Sequence, residues 1–336
     1  MKKIAILAFV AISGITVACA ACSKDSNDEN ENTSMKQASS QTANDRSRTF
    51  TIGEATFKMI FVEHGSFTMG SNDKSVQFSE SPAHKVTLTR DYLMGETEVT
   101  EALWNAVMSN GGGSQTLPKT SVTWKQAHNF VDKLNEMAHA QNLISADEQF
   151  ILPTEAQWEF AAKGGNKSKG YKYSGSNNVN DVAVTRENSG SDSPISVKTK
   201  QPNELGLYDM SGNAYEWVDD YGHQYTSEEQ VDPHTTSGSN YVKRGGSNYH
   251  TFSSEPYLFT TTGRYFYGST DWTIGFRIAL MPSASTTAIR QSSVKSETKG
   301  YNVYTLGGQQ VLAHAESIEG LPRGIYIING EKRVVR

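Results

Sequence analysis

Cysteine is almost absent from this sequence, and the two that occur lie near the amino terminus. They are Cys19 and Cys22, in a chain of 336 residues. Everything after residue 22 therefore lacks the pair of thiolates that a disulfide or a soft-metal site requires. Strong charge of one sign is also missing. The net charge of −5 and the pI of about 5.9 do not give the basic footprint of a nucleic-acid-binding protein, so we expect no nucleic-acid partner.

Long apolar runs are missing except at the start of the chain. Residues 4–17 are largely apolar, follow Lys2 and Lys3, and precede the small residues 18–21. This run is shorter than the roughly 20 residues that a membrane-spanning helix needs, and its flanks are those of an export signal. We therefore predict a signal peptide over residues 1–21.

The sequence around Cys22 resembles a bacterial lipobox, in which the cysteine is lipidated and becomes the first residue of the mature chain. Ordinary cleavage that leaves a free thiol is the alternative. The acidic tract after Cys22 resembles the export tract of surface lipoproteins in the Bacteroidetes. This resemblance implies a lipid-anchored protein of the outer membrane, exposed at the cell surface. Residues 22–48 contain few apolar side chains, so we predict a disordered tether.

Three helix starts can be recognised in the region that follows. Thr100 precedes an apolar stripe, and Thr123 and Thr154 are each followed three residues later by Gln. A Thr with Gln at the third position is a capping box, in which each side chain satisfies a backbone N–H of the other residue. We predict helices that begin at all three positions.

Residues 203–220 predict a turn that is followed by a strand in which aromatic and other residues alternate. The turn is the segment DMSGN at residues 209–213, because Asp and Asn hydrogen-bond their own backbone and Gly212 favours a positive φ. Aromatic and polar residues then alternate, which predicts a strand with two unlike faces. Two carboxylates and the carbonyls between them form an all-oxygen set that suits Ca²⁺, whereas a solvated turn is the alternative.

The segment GLYDMSGNAYEW resembles the GLYDMxGNxWEW block of the formylglycine-generating enzyme family, the sulfatase-modifying factors. Other blocks of that family follow the same order along the chain. They are GSFTMG at residues 65–70, ESPAHKV at 80–86, LPTEAQWEFAAKGG at 152–165, RGGS at 244–247 and GFR at 275–277. Five ordered blocks carry the resemblance more securely than any one of them.

The resemblance implies a mixed α+β fold over residues 49–282, in a C-type-lectin-like arrangement with long loops. It also implies a structural calcium ion on the turn described above. Its ligands would be the side chains of Asp209 and Glu216 and the carbonyls of Gly212 and Ala214. A second calcium ion in the loop of residues 170–199 stays an open question.

The enzymes of this family oxidise a substrate cysteine at a copper ion held by two cysteines shortly after the RGGS block. Counted from Ser247, the corresponding positions in this chain are His250 and Glu255. Cu(I) requires soft thiolates, which imidazole and carboxylate groups do not replace well. We therefore predict no copper, no catalytic residue and no cysteine-dependent oxidase activity.

The region around these two positions is rich in aromatic residues among Ser, Asn and Gly. Such a composition suits sugar stacking or protein contact, although packing in the core or in loops is the alternative for many of these rings. We predict a non-catalytic surface lipoprotein that binds a glycan, a peptide or an envelope protein. The candidate ligand-binding residues are Tyr249, His250, Tyr257, Arg264, Tyr265, Tyr267 and Trp272.

Two other functions stay open at this stage. One is a structural component of an envelope or secretion assembly. The other is an enzyme of altered chemistry that uses His250, Glu255 or Arg277, with a metal ion on histidines as one form of it. The histidines concerned are His223, His234 and His250, and no helical spacing joins them.

The end of the chain has its own pattern. Residues 283–299 are a linker rich in Ser and Thr, and residues 300–336 contain short alternating segments broken by Gly pairs, which predict a small β module. Its YTLGGQQV and LPRGIYI segments resemble the C-terminal sorting tails of secreted proteins of the Bacteroidetes. We expect a retained β module rather than a cleaved sorting signal.

Overall fold

The computed structural model describes residues 46–73, 78–108, 112–282, 301–305, 310–315, 321–328 and 331–335. The predicted signal peptide, Cys22 with nearly all of the predicted tether, and the predicted linker lie outside these residues. Among the helices of the described ranges, none combines the length and the apolar composition that a bilayer span requires.

The described ranges contain five α-helices and sixteen strands. The helices are α1 (Glu101–Met108), α2 (Trp124–Ala140), α3 (Glu155–Ala162), α4 (Val179–Val182) and α5 (Arg186–Ser189). The first six strands are β1 (Arg48–Ile52), β2 (Ala55–Val62), β3 (Gly65–Met69), β4 (His84–Leu88), β5 (Tyr92–Gly95) and β6 (Gln149–Ile151). The next six are β7 (Tyr215–Tyr221), β8 (Gln230–Val231), β9 (Tyr241–Arg244), β10 (Arg264–Tyr267), β11 (Ile274–Phe276) and β12 (Ala279–Met281). The last four are β13 (Tyr301–Thr305), β14 (Gln310–Ala315), β15 (Gly324–Ile328) and β16 (Glu331–Val335).

The strands form four sheets, and the mixture of helices and strands agrees with the predicted α+β class. An antiparallel sheet has the order β1-β2-β5-β12-β6, so the last strand before residue 282 pairs between two early ones. A second sheet has the order β10-β9-β7-β11, in which β7 and β11 are parallel. The third has the order β3-β4-β8, and the fourth, β14-β13-β15-β16, consists of the four C-terminal strands.

All three predicted helix starts are present. The Thr123 hydroxyl accepts the backbone N–H of Gln126, and the Gln126 side chain accepts the N–H of Thr123, which completes the capping box of α2. The N-terminus of α3 has the same reciprocal arrangement, built on Thr154. At α1 the Thr100 hydroxyl accepts the N–H of Leu103 at 3.3 Å. Each such cap stabilises its helix by about 1 kcal/mol.

The turn that precedes β7 has the predicted backbone. Gly212 has a φ of 84°, and a Cβ there would lie 2.2 Å from the carbonyl oxygen of Val184. Asp209 and Asn213 also have a positive φ, of 58° each, a region in which Asp and Asn are the residues found most often after Gly. The turn therefore depends on all three residue types.

Strand β7 has the two unlike faces that the alternation predicts, and both of them are largely buried. The strand lies between β9 and β11, so neither of its edges is free. Tyr215 and Trp217 pack in a hydrophobic core with α1, α2 and the five-stranded sheet, whereas Val218 packs in a second core with α3. The alternation of residue types reflects two different cores rather than a core and a solvent face.

Candidate functional site

The loop that follows β9 carries His250 and Glu255, the two positions selected by the count from Ser247. Two residues of α5, Arg186 and Glu187, fix the backbone of this loop. Arg186 donates its N–H to the carbonyl of His250 at 3.1 Å, and the Glu187 carboxylate accepts the N–H groups of Phe252 and Ser253 at 3.1 Å each. The Ser253 hydroxyl also donates to Glu187, and these hydrogen bonds lower the pKa of Glu187. Polar contacts with α5 therefore order this loop.

His250 and Glu255 are in direct contact. His250 Nδ1 lies 2.8 Å from Glu255 Oε2, and both side chains are partly exposed. The count from Ser247 therefore selected two side chains that touch, as a pair of metal-binding residues would. Imidazole and carboxylate can hydrogen-bond a ligand here, but a catalytic metal needs a third protein ligand. Within the described residues, no three His, Cys, Asp or Glu side chains are arranged to hold a metal ion.

Beside this pair lies an exposed aromatic surface, which we define by Tyr249, His250 and Trp272. Tyr249 and Trp272 are 45% and 43% exposed, and their ring centroids lie 5.1 Å apart with the planes at 82°. This is the edge-to-face geometry that aromatic pairs prefer. The His250 ring meets the Tyr249 ring at 80°, with the centroids 5.6 Å apart. Half-exposed rings next to polar groups can contact a ligand without prior rearrangement.

Lys243 packs against the rings of two tyrosines, Tyr215 and Tyr267. Lys243 Nζ lies 3.9 Å from the ring centroid of Tyr215 and 4.6 Å from that of Tyr267, and it is 3.7 Å from the Asp271 carboxylate. Burial lowers the pKa of Lys243. Burial, together with the charge of Glu255, raises the pKa of Tyr215. Tyr267 is exposed almost as much as Tyr249 and Trp272, but Lys243 covers one side of its ring.

Arg264 does not belong to the ligand-binding surface, so this part of the prediction is wrong. Its side chain is fully buried, and Nε and Nη2 donate to the two oxygens of Glu155 at 2.7 and 2.6 Å. The Tyr265 hydroxyl is also buried, although the ring is partly exposed. Tyr257 is partly exposed and lies beside Tyr265. Arg277, considered above for an altered chemistry, is fully buried as well.

The other histidines considered as metal ligands have separate partners. His223 Nδ1 lies 3.0 Å from the Thr235 hydroxyl. His234 Nε2 lies 2.5 Å from the Asp219 carbonyl oxygen and 3.3 Å from a carboxylate oxygen of the same residue. The hydrogen bond to the Asp219 side chain raises the pKa of His234 to about 9, against the smaller opposing effect of burial.

The His234 contact predicts a pH-dependent stability. Because the pKa of His234 is raised in the folded state, its contribution is complete below the unfolded-state pKa of about 6.5 and is lost as the pH rises through about 9. We expect His234→Gln to destabilise the protein at pH 6 and to match the unsubstituted chain at pH 10. Urea unfolding of both proteins across this range measures the difference. If the two proteins differed by the same unfolding free energy at every pH, the raised pKa of His234 would not be the cause of the difference.

The implied calcium ligands are only partly available. Glu216 has both oxygens engaged, since it accepts from Nε and Nη2 of Arg277 at 2.6 Å each and from the Trp158 indole at 2.6 Å. Asp209 differs. Its Oδ2 accepts the N–H of Lys198 at 2.8 Å, whereas its buried Oδ1 has no donor. Asp209 therefore fits a cation, but Glu216 is already neutralised by Arg277.

The structure adds a carboxylate that sequence reasoning missed, that of Glu98. This side chain is buried next to the turn, and its Oε1 accepts the side-chain N–H of Asn213 at 3.0 Å while Oε2 has no donor. Burial raises the pKa of Glu98 well above its ordinary value, and the charges of Asp209 and Glu216 raise it further. Burial likewise raises the pKa of Asp209, to about 6. A single Glu just before α1 carries no local pattern that could have indicated this role.

Comparison with known proteins adds the family context. A sequence profile described as the sulfatase-modifying factor enzyme 1-like domain matches residues 49–281. Chaperone protein LppX of Paenibacillus barcinonensis is 30% identical over 204 residues, which cover 47% of this chain and 70% of that protein. The formylglycine-generating enzyme of Mus musculus is 26% identical over 251 residues, which cover 57% of this chain and 66% of that enzyme. Among solved structures, Treponema denticola variable protein 1 is 32% identical with a TM-score of 0.61, over 70% of this chain and 99% of that one.

Proposed function

This chain belongs to the formylglycine-generating enzyme family of sulfatase-modifying factors, and from that premise we propose that it is a non-catalytic binding protein. The observation that carries the proposal is the His250–Glu255 contact. It stands at the two positions where the family's enzymes hold copper with cysteine. The pair provides a hydrogen-bonding imidazole and carboxylate, but it provides no soft ligand for Cu(I) and no thiol for oxidation.

The ligand of this protein binds the aromatic surface. Tyr249 and Trp272 supply apolar ring area at a low cost in conformational entropy, since each side chain has two rotatable bonds. The partly exposed His250 and Glu255 supply donors and acceptors beside the rings. Rings with polar groups at their edges suit a glycan, and they also suit a peptide or the surface of an envelope protein.

The localisation and the architecture form part of the same proposal. Lipidation of Cys22 anchors the chain in the outer membrane, and the tether extends the folded region from the cell surface. The folded region has the C-type-lectin-like arrangement that the family resemblance implies. The sheet of β13–β16 is a retained module that resembles a sorting tail. Radiolabelled palmitate on the unsubstituted chain but not on Cys22→Ala tests the anchor.

A glycan array and a peptide array probed with the full chain test the binding surface. Once a ligand is found, Tyr249→Ala and Trp272→Ala are each expected to weaken binding about tenfold or more, because central aromatic side chains dominate most interfaces. Tyr171→Ala removes a partly exposed ring that lines a cleft without Tyr249, His250 or Trp272, so it is the matched control and should retain the affinity.

Two outcomes contradict the proposal in different ways. Ligand binding that survives both aromatic substitutions places the binding surface elsewhere on the chain. Absence of any ligand, combined with concentration-dependent self-association in analytical ultracentrifugation, favours the structural component of an envelope assembly. The binding assays and the ultracentrifugation use the same purified protein, so one preparation distinguishes the two outcomes.

A further inference from the structure

One lysine of this fold is held by two aromatic rings and a carboxylate. Lys243 Nζ lies 3.9 Å from the ring centroid of Tyr215 and 4.6 Å from that of Tyr267. The Asp271 carboxylate lies 3.7 Å from the same nitrogen. A cation within about 6 Å of a ring centroid is attracted by the negative face of the ring. The side chain of Lys243 is only 10% exposed, so these groups hold an ammonium group that has lost most of its water.

The aromatic surface contains the same kinds of group, and it adjoins this cluster because the His250 and Tyr215 ring centroids lie 5.6 Å apart. The Tyr249 and Trp272 rings meet at 82°, and both side chains are nearly half exposed. Beside them, His250 contacts the partly exposed Glu255 carboxylate. Two rings at nearly a right angle form a corner in which a compact group touches both rings, whereas a sugar ring stacks on one open face. The corner therefore suits a small cation better than it suits a sugar.

Arg186 lies over one of the two rings of this corner, but its charge is already paired. Its Cζ lies 5.5 Å from the Tyr249 ring centroid, and its Nε lies 2.8 Å from the Asp192 carboxylate. Within the ranges that the structure describes, no lysine or arginine lies over the Trp272 ring. Tryptophan is the residue whose ring binds cations most strongly. Trp272 therefore offers a ring that the described cations of the chain do not use.

The charges around the corner also favour a cation. Asp192 and Asp271 are each paired with a cationic side chain, Arg186 and Lys243 respectively. Glu187 accepts hydrogen bonds from the loop, and Glu255 contacts His250, but among the described residues neither carboxylate pairs with a lysine or an arginine. His250 adds a positive charge only when it is protonated. Two negative charges therefore remain beyond the ion pairs, and they would repel an acidic ligand.

We propose that the ligand of the aromatic surface is a lysine-rich segment of a partner protein, with a lysine ammonium group in the corner between Tyr249 and Trp272 and near Glu255. This inference rests on the proposed binding function and adds the chemical class of the ligand. Lysine combines a compact ammonium group with a flexible apolar stem, so it can lie against two rings as Lys243 does within the chain. A neutral glycan lacks the charge that this environment would compensate.

Titration of the full chain with a short peptide of alternating lysine and serine tests this proposal. At low salt, we expect this peptide to bind at least tenfold more tightly than the same peptide with every lysine acetylated, because acetylation keeps the stem and removes the charge. The peptide with glutamate in place of lysine should not bind. A rise in salt to about 0.5 M should weaken the binding of the lysine peptide, since salt screens exposed charges.

Substitutions then locate the binding site on the chain. Trp272→Ala should weaken binding of the lysine peptide about tenfold, and Trp272→Phe, which keeps an aromatic ring, should restore part of the affinity. Glu255→Gln keeps the size of the side chain and removes its charge, so it should weaken binding of the lysine peptide about fivefold. The matched control is Glu229→Gln, which changes the net charge equally at an exposed side chain that pairs with Lys85. This control should retain the affinity. The melting temperature of each variant is measured first, so that a loss of binding is not a loss of folding.

Several results would overturn the proposal. If the acetylated peptide binds as tightly as the lysine peptide, or if Trp272→Ala leaves the affinity unchanged, the corner does not recognise a cation. If Glu229→Gln weakens binding as much as Glu255→Gln does, the attraction comes from the net charge of the chain. A neutral glycan whose binding is lost in both Tyr249→Ala and Trp272→Ala would refute this ligand class and leave the proposed binding function intact. If neither the arrays nor the lysine peptide gives any binding, both the ligand class and the proposed function are wrong.

Discussion

Replacement of Arg277 by methionine is expected to lower the free energy of unfolding by about 3–5 kcal/mol. The substitution removes a guanidinium that is fully buried and donates to both oxygens of Glu216. It also leaves the Gly95 and Tyr208 carbonyls without their donor. The buried carboxylate that remains cannot reach water, so its desolvation is not compensated.

Urea unfolding of the unsubstituted and substituted chains measures this loss. Lys85→Met is the control, because it breaks a pair with Glu229 in which both side chains are more than half exposed. An exposed pair contributes at most about 1 kcal/mol, so this control should change little. The double variant Arg277→Met with Glu216→Gln should recover part of the loss, since the unpaired charge is then removed. If Arg277→Met alone lowered the free energy of unfolding only slightly, water would have to reach the Glu216 carboxylate, against this prediction.

Arg277 is one of three arginines that each pair with a buried glutamate in this fold. Arg244 donates to Glu159 at 2.6 Å, and Arg264 forms the bidentate pair with Glu155. All three guanidinium groups are fully buried. Five of the six ion-pair residues lie in the sequence blocks that carry the family resemblance, namely Glu155, Glu159, Glu216, Arg244 and Arg277. Retention of these blocks therefore preserves a structural framework and does not require an active oxidase, which supports the non-catalytic proposal.

Features encoded by short spacing could be predicted from the sequence. The capping boxes at Thr123 and Thr154 span three residues, and the turn at Gly212 needs only its own φ, so local chemistry determines them. The sequence could single out His250 and Glu255 by a count from Ser247, because both lie in one short loop, but their contact is a finding of the structure. These are the parts in which local preference and tertiary structure agree.

The long-range ion pairs could not be predicted in this way. Arg264 and Glu155 are 109 residues apart, so no periodicity connects them, and an Arg among tyrosines has the composition of a binding surface. Glu98 accepts a hydrogen bond from Asn213 across 115 residues, and only the fold brings its carboxyl group near enough to Asp209 for that charge to raise the pKa of Glu98. Burial by several distant segments, rather than sequence spacing, decides the roles of these side chains.

The second large effect expected is a gain of copper binding when cysteines are placed at His250 and Glu255. The double variant His250→Cys with Glu255→Cys should bind one Cu(I) per chain, whereas the unsubstituted chain should bind none stoichiometrically. Two thiolates are the soft ligands that Cu(I) prefers, and the two native side chains already lie in contact at 2.8 Å. The scaffold around them is ordered by Glu187 and does not need to be rebuilt.

Titration against a competing Cu(I) chelator measures the affinity, and each single cysteine variant serves as a control for a lone thiol. The unsubstituted chain also controls for Cys19 and Cys22. Because the double variant loses the His250–Glu255 contact, its melting temperature must first be shown to match that of the single variants. If the folded double variant binds no copper, the positions counted from Ser247 do not match the family's copper site. Stoichiometric copper on the unsubstituted chain, or oxidation of a cysteine-containing sulfatase peptide by it, would instead refute the argument that loss of the thiolates removed the chemistry.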